Sequence, residues 1–377
     1  MKNQISPVIA LEKPRIAIFV SFSGSGGVER MILNLTREFL NLGVRVDMIP
    51  VKQESFHLDL LPQEVNVIDL GASHTLSSLP GLVRYLKSER PDAILAAKDR
   101  ANTTAVLARR LAGVSTRLVL RMGTTVSAAM AGTHPIRERI WYLRMRMLYP
   151  SADAVVAVSR GVAHDLKKNA GLPPSLLRVI PNPVISPELV TMSEQAPDHP
   201  WFQESTVPVL LGVGRLTRQK DFTTLLRSFA FVRRNRPCRL IILGEGRDRG
   251  SLQSLARDLG IMEDVAMPGF VENPYAYMRR AALFVLSSLW EGSPNVLTEA
   301  LALGTPVVST DCPSGPKEIL EHGRFGPLVP MGNPEAMAQA IVKTLDAPLE
   351  KSLLKTAVQA YTVKESSKKY LETLLVK

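Results

Sequence analysis

The sequence has little cysteine and no long apolar run. Only Cys238 and Cys312 occur in 377 residues, which excludes a disulfide framework and a cysteine-based metal site. No stretch approaches the roughly 18 consecutive apolar residues of a membrane-spanning helix. Residues 1–13 carry charges and lack the apolar core of a secretory signal. Together these absences predict a protein of the reducing cytoplasm.

Acidic residues are outnumbered by basic ones. The chain has 35 Asp and Glu against 46 Lys and Arg, and its formal net charge is +11. A charge of this sign indicates an anionic partner. Nucleotide phosphates, nucleic acid and anionic lipid all meet that description, so charge alone does not choose among them.

What the sequence does contain is a repeated alternation of strand and helix patterns. This alternation predicts parallel sheets with helices on both faces, and 377 residues suffice for two such domains. The polar, proline-marked stretch after Asn182 indicates the boundary. We therefore expect an α/β fold with a first domain at 1–185, a linker at 186–204, a second domain at 205–350, and a helical tail at 351–377 packed across the domain junction.

The stretch 286–310, LSSLWEGSPNVLTEALALGTPVVST, predicts a loop and a short helix between two buried strands. Ser293 followed by Pro294 is typical of a helix start, because the serine side chain can cap free N–H groups and proline suits the first helical position. Gly304 is expected to end the helix.

A helix that starts there makes an anion site. The backbone N–H groups of Asn295 and Val296 carry partial positive charge and point out of the helix end. Glu291 in the preceding loop and Glu299 in the second turn then lie close to any hydroxyl groups attached to a bound phosphate. The alternative is that both are solvated glutamates on a polar face.

Two further loops follow predicted strands. Arg215 and Lys220 follow a strand that ends at residue 213. The Arg215 guanidinium is a planar fork that matches phosphate oxygens, and the Lys220 ammonium is a mobile point charge. Arg218 between them can equally be an ordinary surface residue in a turn. The turn after Arg15–Val20 is rich in glycine but is a poor dinucleotide fingerprint, because the third glycine is missing and Asp47 falls inside the second strand.

The segment from Ile136 to Tyr149 mixes four arginines with aromatic and aliphatic residues. Such a helix can lie in the headgroup region of an anionic membrane. It can equally be an ordinary helix that packs its apolar residues on the sheet, and both interpretations stay open at this point.

Several of these motifs, taken together, resemble a known family. They are Gly26-Gly-Val-Glu29, Gly214-Arg215 with Lys220-Asp221, Gly244-Glu-Gly246, Pro268-Gly-Phe270-Val271, and Glu291 followed eight residues later by Glu299. In this order they look like the family 4 retaining glycosyltransferases, which use nucleotide sugars and have the GT-B fold of two Rossmann-like domains facing a cleft. The resemblance covers nearly the whole chain and is densest from Gly212 to Glu318.

The resemblance implies a role for each matching residue. Arg215 and Lys220 would grip the donor diphosphate, Glu291 would bond a hydroxyl of the transferred sugar, and Glu299 would bond the ribose. The remaining donor-binding residues would be Gly26, Gly27, Gly214, Gly246, Phe270, Val271, Ser293, Asn295 and Val296. No Asp-x-Asp pair is present for Mg²⁺, so neither a metal nor another cofactor is expected.

The chain departs from the family pattern at one place. Many relatives have a histidine after the strand that here ends at Leu120, whereas this chain reads Arg121-Met-Gly-Thr-Thr125, so Arg121 or Thr124 is the expected acceptor-side substitute. The predicted function is retaining transfer from a nucleotide sugar, expected to be a UDP-sugar, to a glycan acceptor that is lipid-linked, in surface polysaccharide or lipopolysaccharide synthesis. No nucleic-acid partner is expected.

Two alternatives remain open on the sequence. One is a GT-B epimerase or phosphorylase, which turns over a nucleotide sugar, or a glycan with phosphate, without another acceptor. The other is a non-catalytic protein that binds polyanions or a membrane, for which salt dependence would be steep and Glu299 would not matter.

Overall fold

The computed structural model describes residues 13–21, 26–51, 58–131, 135–203 and 207–376. Its strands are β1 Arg15–Val20, β2 Arg45–Pro50, β3 Asn66–Val67, β4 Ala93–Ala97, β5 Arg117–Met122, β6 Ala154–Ala157, β7 Leu177–Val179, β8 Val209–Val213, β9 Arg239–Leu243, β10 Val265–Gly269, β11 Leu283–Leu286, β12 Val307–Thr310 and β13 Leu328–Val329.

Helices connect most of these strands. They are α1 Gly27–Asn41, α2 Leu79–Glu89, α3 Asp99–Ala112, α4 Val126–Met130, α5 Pro135–Leu148, α6 Arg160–Ala170, α7 Pro187–Glu194, α8 Phe222–Asn235, α9 Arg249–Asp258, α10 Pro274–Arg280, α11 Asn295–Ala302, α12 Pro316–Ile319, α13 Pro334–Asp346, α14 Lys351–Thr356 and α15 Val363–Leu375.

The strands form two parallel sheets, as the alternating pattern predicts. The first has the order β3-β2-β1-β4-β5-β6-β7 and the second β10-β9-β8-β11-β12-β13. In each sheet the order reverses once, beside β1 in the first and beside β8 in the second. Ligands of such sheets bind outside the carboxyl ends of the strands at that reversal.

Several predicted elements match the structure closely and others do not. Short apolar runs predict strands at 15–20, 93–97 and 239–243, and β1, β4 and β9 have these bounds. The apolar pattern also predicts a strand at 66–70, but β3 ends at Val67, and the Ile68 amide makes one further hydrogen bond to the Met48 carbonyl at 2.8 Å. The tail is two helices, α14 and α15, separated at 357–362.

The chain divides into two compact units. Unit 1 comprises Met1–Arg121, Ser151–Ala154 and Tyr370–Lys377, and unit 2 comprises Met122–Pro150 and Val155–Lys369. In unit 1, strands β1 and β4 are buried almost completely, as expected for a parallel sheet covered on both faces. The domain boundaries drawn from the sequence stay a prediction.

Unit 2 has a hydrophobic core on each face of the second sheet. One core joins β8, β9 and β11 to α8, α9 and α13, and the other joins the same strands to α7, α10, α11 and α14. Successive side chains of a strand point alternately into the two cores: Leu210 packs in the first and Leu211 in the second. This packing fixes the strands whose carboxyl ends carry the candidate site.

Among the described residues, no helix is long and apolar enough to cross a membrane.

Candidate active site

The loop after β8 packs backbone to backbone on the loop after β9. A Cβ atom on Gly244 would lie 2.0 Å from the carbonyl oxygen of Gly214, and one on Gly246 would lie 2.2 Å from that of Leu216. Both positions therefore require glycine. The Leu216 amide also donates to the Glu245 carbonyl at 2.9 Å. The Arg215–Lys220 loop consequently has a fixed base at the edge of the sheet.

An ion pair joins this loop to the one after β11. Lys220 Nζ lies 2.5 Å from Glu291 Oε1, and the side chains are only 13% and 9% exposed. Ser288 Oγ donates to the same carboxylate oxygen at 2.7 Å. The pair lies beside the reversal of strand order between β8 and β11, where a parallel sheet binds ligands.

Backbone and side-chain hydrogen bonds hold the two loops together around the ion pair. The Leu289 amide donates to the Gln219 carbonyl at 2.8 Å, and the Gln219 side-chain amide donates to the Trp290 carbonyl at 2.9 Å. Ser287 Oγ donates to the Lys220 carbonyl at 2.7 Å. Since these bonds lie on both sides of Lys220, its ammonium group reaches Glu291 from a fixed backbone.

Arg215 differs from Lys220 in its surroundings. Its side chain is exposed, and within the described part of the chain no hydrogen bond or ion pair engages its guanidinium. Gly214 lies against the Lys220 side chain, because a Cβ atom there would meet Lys220 Cε at 2.9 Å. The loop therefore presents one cation already balanced by a carboxylate and one open to an anion.

The start of α11 differs from the prediction in one respect. Ser293 does not cap the helix: Pro294 holds the capping position, the helix begins at Asn295, and across the described residues no side chain caps it. Gly315, with φ near 100°, packs against the Pro294 ring, since a Cβ atom on this glycine would lie 2.7 Å from Pro294 Cδ. The helix itself ends as predicted, with Gly304 at φ 75°.

Asn182 contributes to this helix start and was not predicted as a functional residue. It is buried, and its side-chain amide donates to Asn295 Oδ1 at 2.8 Å and to the Ser293 carbonyl at 3.4 Å. Its only sequence signal is the Asn-Pro pair that marks the predicted boundary. That signal indicates a turn and gives no sign of a partner more than a hundred residues away.

Glu299 lies one helical turn beyond Asn295 and is buried. Residues four apart on a helix share a face, so its carboxylate belongs to the face that carries Asn295. The solvated-glutamate alternative is therefore wrong for Glu299 and for Glu291, since both are buried. Phe270, by contrast, is exposed after β10, and Val271 packs partly on the core.

The acceptor-side candidates separate into two cases. Thr124 lies beside Gly292, because a Cβ on Gly292 would come within 2.9 Å of the Thr124 Cα and 2.2 Å of the Gly123 carbonyl oxygen. Arg121 is only 2% exposed. Burial raises the pKa of the neighbouring Tyr370, and the positive charge of Arg121 partly offsets this rise. Arg121 itself has almost no exposed surface, whereas the Thr124 backbone lies beside Gly292 in the loop after β5.

Gly26 and Gly27 lie in unit 1 at the start of α1, with Gly26 in the capping position. Beside them Lys98 Nζ pairs with the buried Glu29 carboxylate at 2.7 Å and donates to the Ser21 carbonyl at 2.6 Å. Asp47 is buried and bound by Arg15 and Asn66 at 2.7 and 3.1 Å. It is therefore unavailable to a ribose, as its position inside a strand predicts.

Metal ligands are not grouped in the part of the chain that the structure describes: no cluster of three or more His, Cys, Asp or Glu side chains is found there. The site itself carries Arg215, the Lys220–Glu291 pair and the start of α11.

Two family models match the chain. Residues 25–185 match "Glycosyltransferase Family 4", and residues 207–347 match "Glycosyl transferases group 1". The two matches adjoin at the polar, proline-marked stretch and together take in most of the chain. Every predicted site residue lies within one of them.

Relatives match over most of their own length. An N-acetylgalactosamine-N,N'-diacetylbacillosaminyl-diphospho-undecaprenol 4-alpha-N-acetylgalactosaminyltransferase of Campylobacter jejuni is 29% identical over 341 residues, covering 88% of this chain and 90% of its own. A lipopolysaccharide core biosynthesis glycosyltransferase of Rhizobium meliloti is 27% identical, covering 85% and 86%.

Solved structures share the fold. The Anabaena HepE protein in complex with UDP-glucose superposes with a TM-score of 0.77 at 21% identity, covering 95% of this chain and 99% of its own. With the two family matches and the two parallel sheets, this likeness identifies the architecture. The chain belongs to the group 1, family 4 glycosyltransferases, has the GT-B fold and is a hexosyltransferase.

Proposed function

We propose that the enzyme transfers a sugar, with retention, from a UDP-sugar to a glycan carried on a polyprenyl diphosphate, in the synthesis of a surface polysaccharide or lipopolysaccharide. The Lys220–Glu291 pair, next to the start of α11 and the open Arg215, is the observation that carries the proposal. The names of the Campylobacter and Rhizobium relatives support the acceptor class and the pathway class, and the Anabaena complex supports the donor class.

Each site residue has a proposed task. Arg215 and Lys220 bind the diphosphate, the amides of Asn295 and Val296 at the helix end add partial positive charge, and Glu299 bonds the ribose. Glu291 bonds a hydroxyl of the sugar, and Thr124 contacts the acceptor. The proposed lining of the donor site is completed by Gly26, Gly27, Gly214, Gly246, Phe270, Val271 and Ser293.

The proposed reaction needs charge stabilisation more than a protein base. The bond between the sugar C1 and the β-phosphate oxygen breaks, the bond from the acceptor oxygen to C1 forms on the same face, and the acceptor proton passes to the departing phosphate. Preorganised cations that face the developing negative charge lower the barrier for such a step. We accordingly propose that no metal is required.

A panel of donors tests the proposal. UDP-N-acetylgalactosamine, UDP-glucose, GDP-mannose and ADP-glucose are each offered with a polyprenyl-diphosphate-linked N-acetylhexosamine, with and without EDTA. We expect product from a UDP-sugar, undiminished by EDTA, and a loss of about a hundredfold or more in Arg215→Ala and Glu299→Ala, the scale of lost transition-state contacts. Arg218→Ala, an exposed neighbour, is the matched control. Equal activity in Glu299→Ala and wild type would overturn the assignment.

The alternatives raised by the sequence are not favoured. The relatives that span most of the chain are named as glycosyltransferases, and none of those cited is named as an epimerase, a phosphorylase or a binding protein.

We further propose that α5 rests on an anionic membrane at its inner face. Its outward residues Ile136, Ile140, Leu143 and Met147 are 59%, 60%, 56% and 65% exposed, at spacings of four, three and four that form one stripe. Arginines flank this stripe on both sides, namely Arg137, Arg139, Arg144 and Arg146. The opposite face carries Met145, which is fully buried, so α5 packs inward without using the stripe.

Vesicle binding tests the membrane proposal separately from catalysis. Vesicles of phosphatidylcholine with phosphatidylglycerol should sediment the wild type, and binding should fall about tenfold or more when Arg137, Arg139, Arg144 and Arg146 are changed to Glu. Ile140→Ser with Leu143→Ser should have a similar effect, whereas Leu111→Ser, an exposed apolar residue of α3, should have none. Unchanged sedimentation of both α5 variants would reject the membrane contact and leave the transferase proposal standing.

The domain division predicted from the sequence is retained as part of the proposal: residues 1–185 bind the acceptor, 205–350 bind the donor, 186–204 link them, and 351–377 pack across the junction. The bounds of the two family matches, 25–185 and 207–347, support these limits.

A further inference from the structure

A single hydroxyl group in unit 2 connects four separate segments. Ser314 Oγ lies 3.1 Å from Thr125 Oγ1 and 3.0 Å from Ser159 Oγ, and it donates to the Gly292 carbonyl at 3.2 Å. The proposed reaction assigns no role to Ser314 or Ser159. The Ser314 amide nevertheless donates at 3.2 Å to the carbonyl of Glu291, the residue proposed to bind the sugar.

The backbone of Glu291 is fully occupied by these segments. Its amide donates to the Pro313 carbonyl at 2.7 Å. Its carbonyl accepts from Thr125 Oγ1 at 2.8 Å, from the Thr125 amide at 3.3 Å and from the Ser314 amide at 3.2 Å. Thr125 and the 313–314 segment therefore hold Glu291 from two sides, independently of the Lys220 ion pair.

A carboxylate makes a second connection between the same segments. Glu318 accepts from the Arg160 amide with Oε2 and from the Gly161 amide with Oε1, both at 2.8 Å. These are the first amides of α6, an 11-residue helix whose amino end favours negative charge. Because both oxygens are used, the carboxylate fixes the direction of the helix as well as its distance.

Helix α6 passes this constraint to the loop that precedes α4. Asp165, which is buried on α6, accepts from the Val126 amide at 2.8 Å and from the Ser127 amide at 3.3 Å. Those amides begin α4, directly after Thr124 and Thr125. The bonds from Glu318 to α6, from α6 to the start of α4, and from Thr125 to Glu291 therefore close a ring.

The segments of this ring can approach one another only because Gly161 and Gly292 have no side chain. A Cβ on Gly161 would lie 2.3 Å from Ser314 Cβ, and one on Gly292 would lie 2.2 Å from the Gly123 carbonyl oxygen. Real Cβ atoms do not approach so closely, so either substitution must push the segments apart. The contacts at Gly161 and Gly292 therefore require glycine at both positions.

We propose that Ser314 and Glu318 are positioning residues, which hold the Gly123–Thr125 loop against the Glu291 backbone and so set the distance between the proposed acceptor loop and the donor sugar. This inference rests on the proposed function, because that function assigns Glu291 to the sugar and Thr124 to the acceptor. Displacement of reacting groups by about 1 Å can cost about a hundredfold in rate. Loss of the ring should therefore lower kcat while UDP still binds.

Three variants test the inference against a matched glycine control. Gly161→Ala inserts the clashing methyl, Glu318→Ala removes the carboxylate, and Ser314→Ala removes the hydroxyl that meets Thr125, Ser159 and Gly292 while keeping the Cβ atom. Gly250→Ala on α9 has nothing within 4 Å of its new Cβ and is the control. The readouts are UDP affinity by calorimetry, kcat with UDP-N-acetylgalactosamine and the polyprenyl-diphosphate-linked N-acetylhexosamine, and amide hydrogen exchange of residues 122–131.

In Gly161→Ala and Glu318→Ala we expect kcat to fall about tenfold or more with UDP affinity nearly unchanged, and exchange at Val126 and Ser127 to quicken. Ser314→Ala should change kcat and exchange in the same direction, and Gly250→Ala should change neither. The inference would be overturned if residues 122–131 exchanged at the wild-type rate in both Gly161→Ala and Glu318→Ala. It would also be overturned if Gly250→Ala lost as much kcat as these two variants. No turnover by wild type, with exchange altered as expected, would instead overturn the proposed function.

Discussion

At the residue scale, the ion pair between Lys220 and Glu291 dominates the candidate site. Both side chains are nearly buried, and the carboxylate also accepts from Ser288. A buried charge that loses its partner pays its desolvation without compensation. The pair therefore has a structural consequence that can be measured without knowing the substrate.

Changing one partner alone should destabilise the protein strongly. We expect Lys220→Met or Glu291→Gln to lower the free energy of unfolding by about 3 kcal/mol, because each leaves one buried group without its partner. Urea unfolding measures the change. The double variant Lys220→Met with Glu291→Gln leaves no unpaired charge and should lose less than the sum of the singles; simple additivity would contradict a coupled pair.

The two cysteines give a second prediction at this scale. Burial raises the pKa of the Cys312 thiol to about 12, helped by the nearby Glu291 carboxylate, and raises that of Cys238 to about 11. A raised thiol pKa leaves almost no thiolate at pH 8, and the thiolate is the reactive form. Iodoacetamide at pH 8 should therefore leave both unmodified by mass spectrometry until urea unfolds the chain; rapid labelling of the native protein would contradict this burial.

At the element scale, the loops after β8 and β9 depend on glycine for their contact, whereas helix α9 does not. Gly246 faces the Leu216 carbonyl at a distance that excludes a side chain, while Gly250, four residues later, points into open space. Only Gly246 belongs to a family motif, and the sequence does not show that the backbone around it excludes a side chain. The different surroundings of the two glycines arise only when the two loops are brought together.

Substitution by alanine should have opposite effects at these two positions. Gly246→Ala should lower the free energy of unfolding by about 2 kcal/mol or more, since the new methyl overlaps the Leu216 carbonyl. Gly250→Ala should raise it by about 0.5–1 kcal/mol, because alanine loses less backbone entropy in a helix. Urea unfolding of both variants measures the difference, and destabilisation by Gly250→Ala would contradict its open surroundings.

At the scale of the whole molecule, the chain forms two compact units, and Arg215, Lys220, Glu291 and Glu299 all belong to unit 2. A ligand that binds only the folded state stabilises it by an amount set by its concentration and affinity. Protection by UDP should therefore be centred on these residues of unit 2.

Hydrogen exchange with UDP tests that expectation. At a UDP concentration about 100 times its Kd, the free energy of unfolding of unit 2 should be about 2.7 kcal/mol higher than in the free protein. Mass spectrometry should find slowed exchange in residues 214–221 and 287–302. Glu299→Ala should remove most of this protection, and protection that survives unchanged in that variant would place UDP elsewhere.

Much of the architecture follows from sequence patterns because each pattern reflects local physics. The apolar run at Ala93–Ala97 is too short for a typical helix and lies between helical patterns, which favours a buried strand, and Gly304 ends α11 in the left-handed conformation. Motif spacing placed Arg215, Lys220, Glu291 and Glu299 in one family pattern. These predictions needed no knowledge of which loops meet.

Contacts between distant segments were decided only by the tertiary structure. The Ser293 cap was predicted from local preference, but Gly315 and Asn182 shape that helix start from elsewhere in the chain, and Pro294 takes the capping position. Arg121 is expected from the sequence just after a strand, yet it lies inside β5, where packing buries it. Sequence patterns report each residue's own backbone preference, whereas partners such as Glu318 with α6, or Ser314 with Thr125, exist only once the segments are packed together.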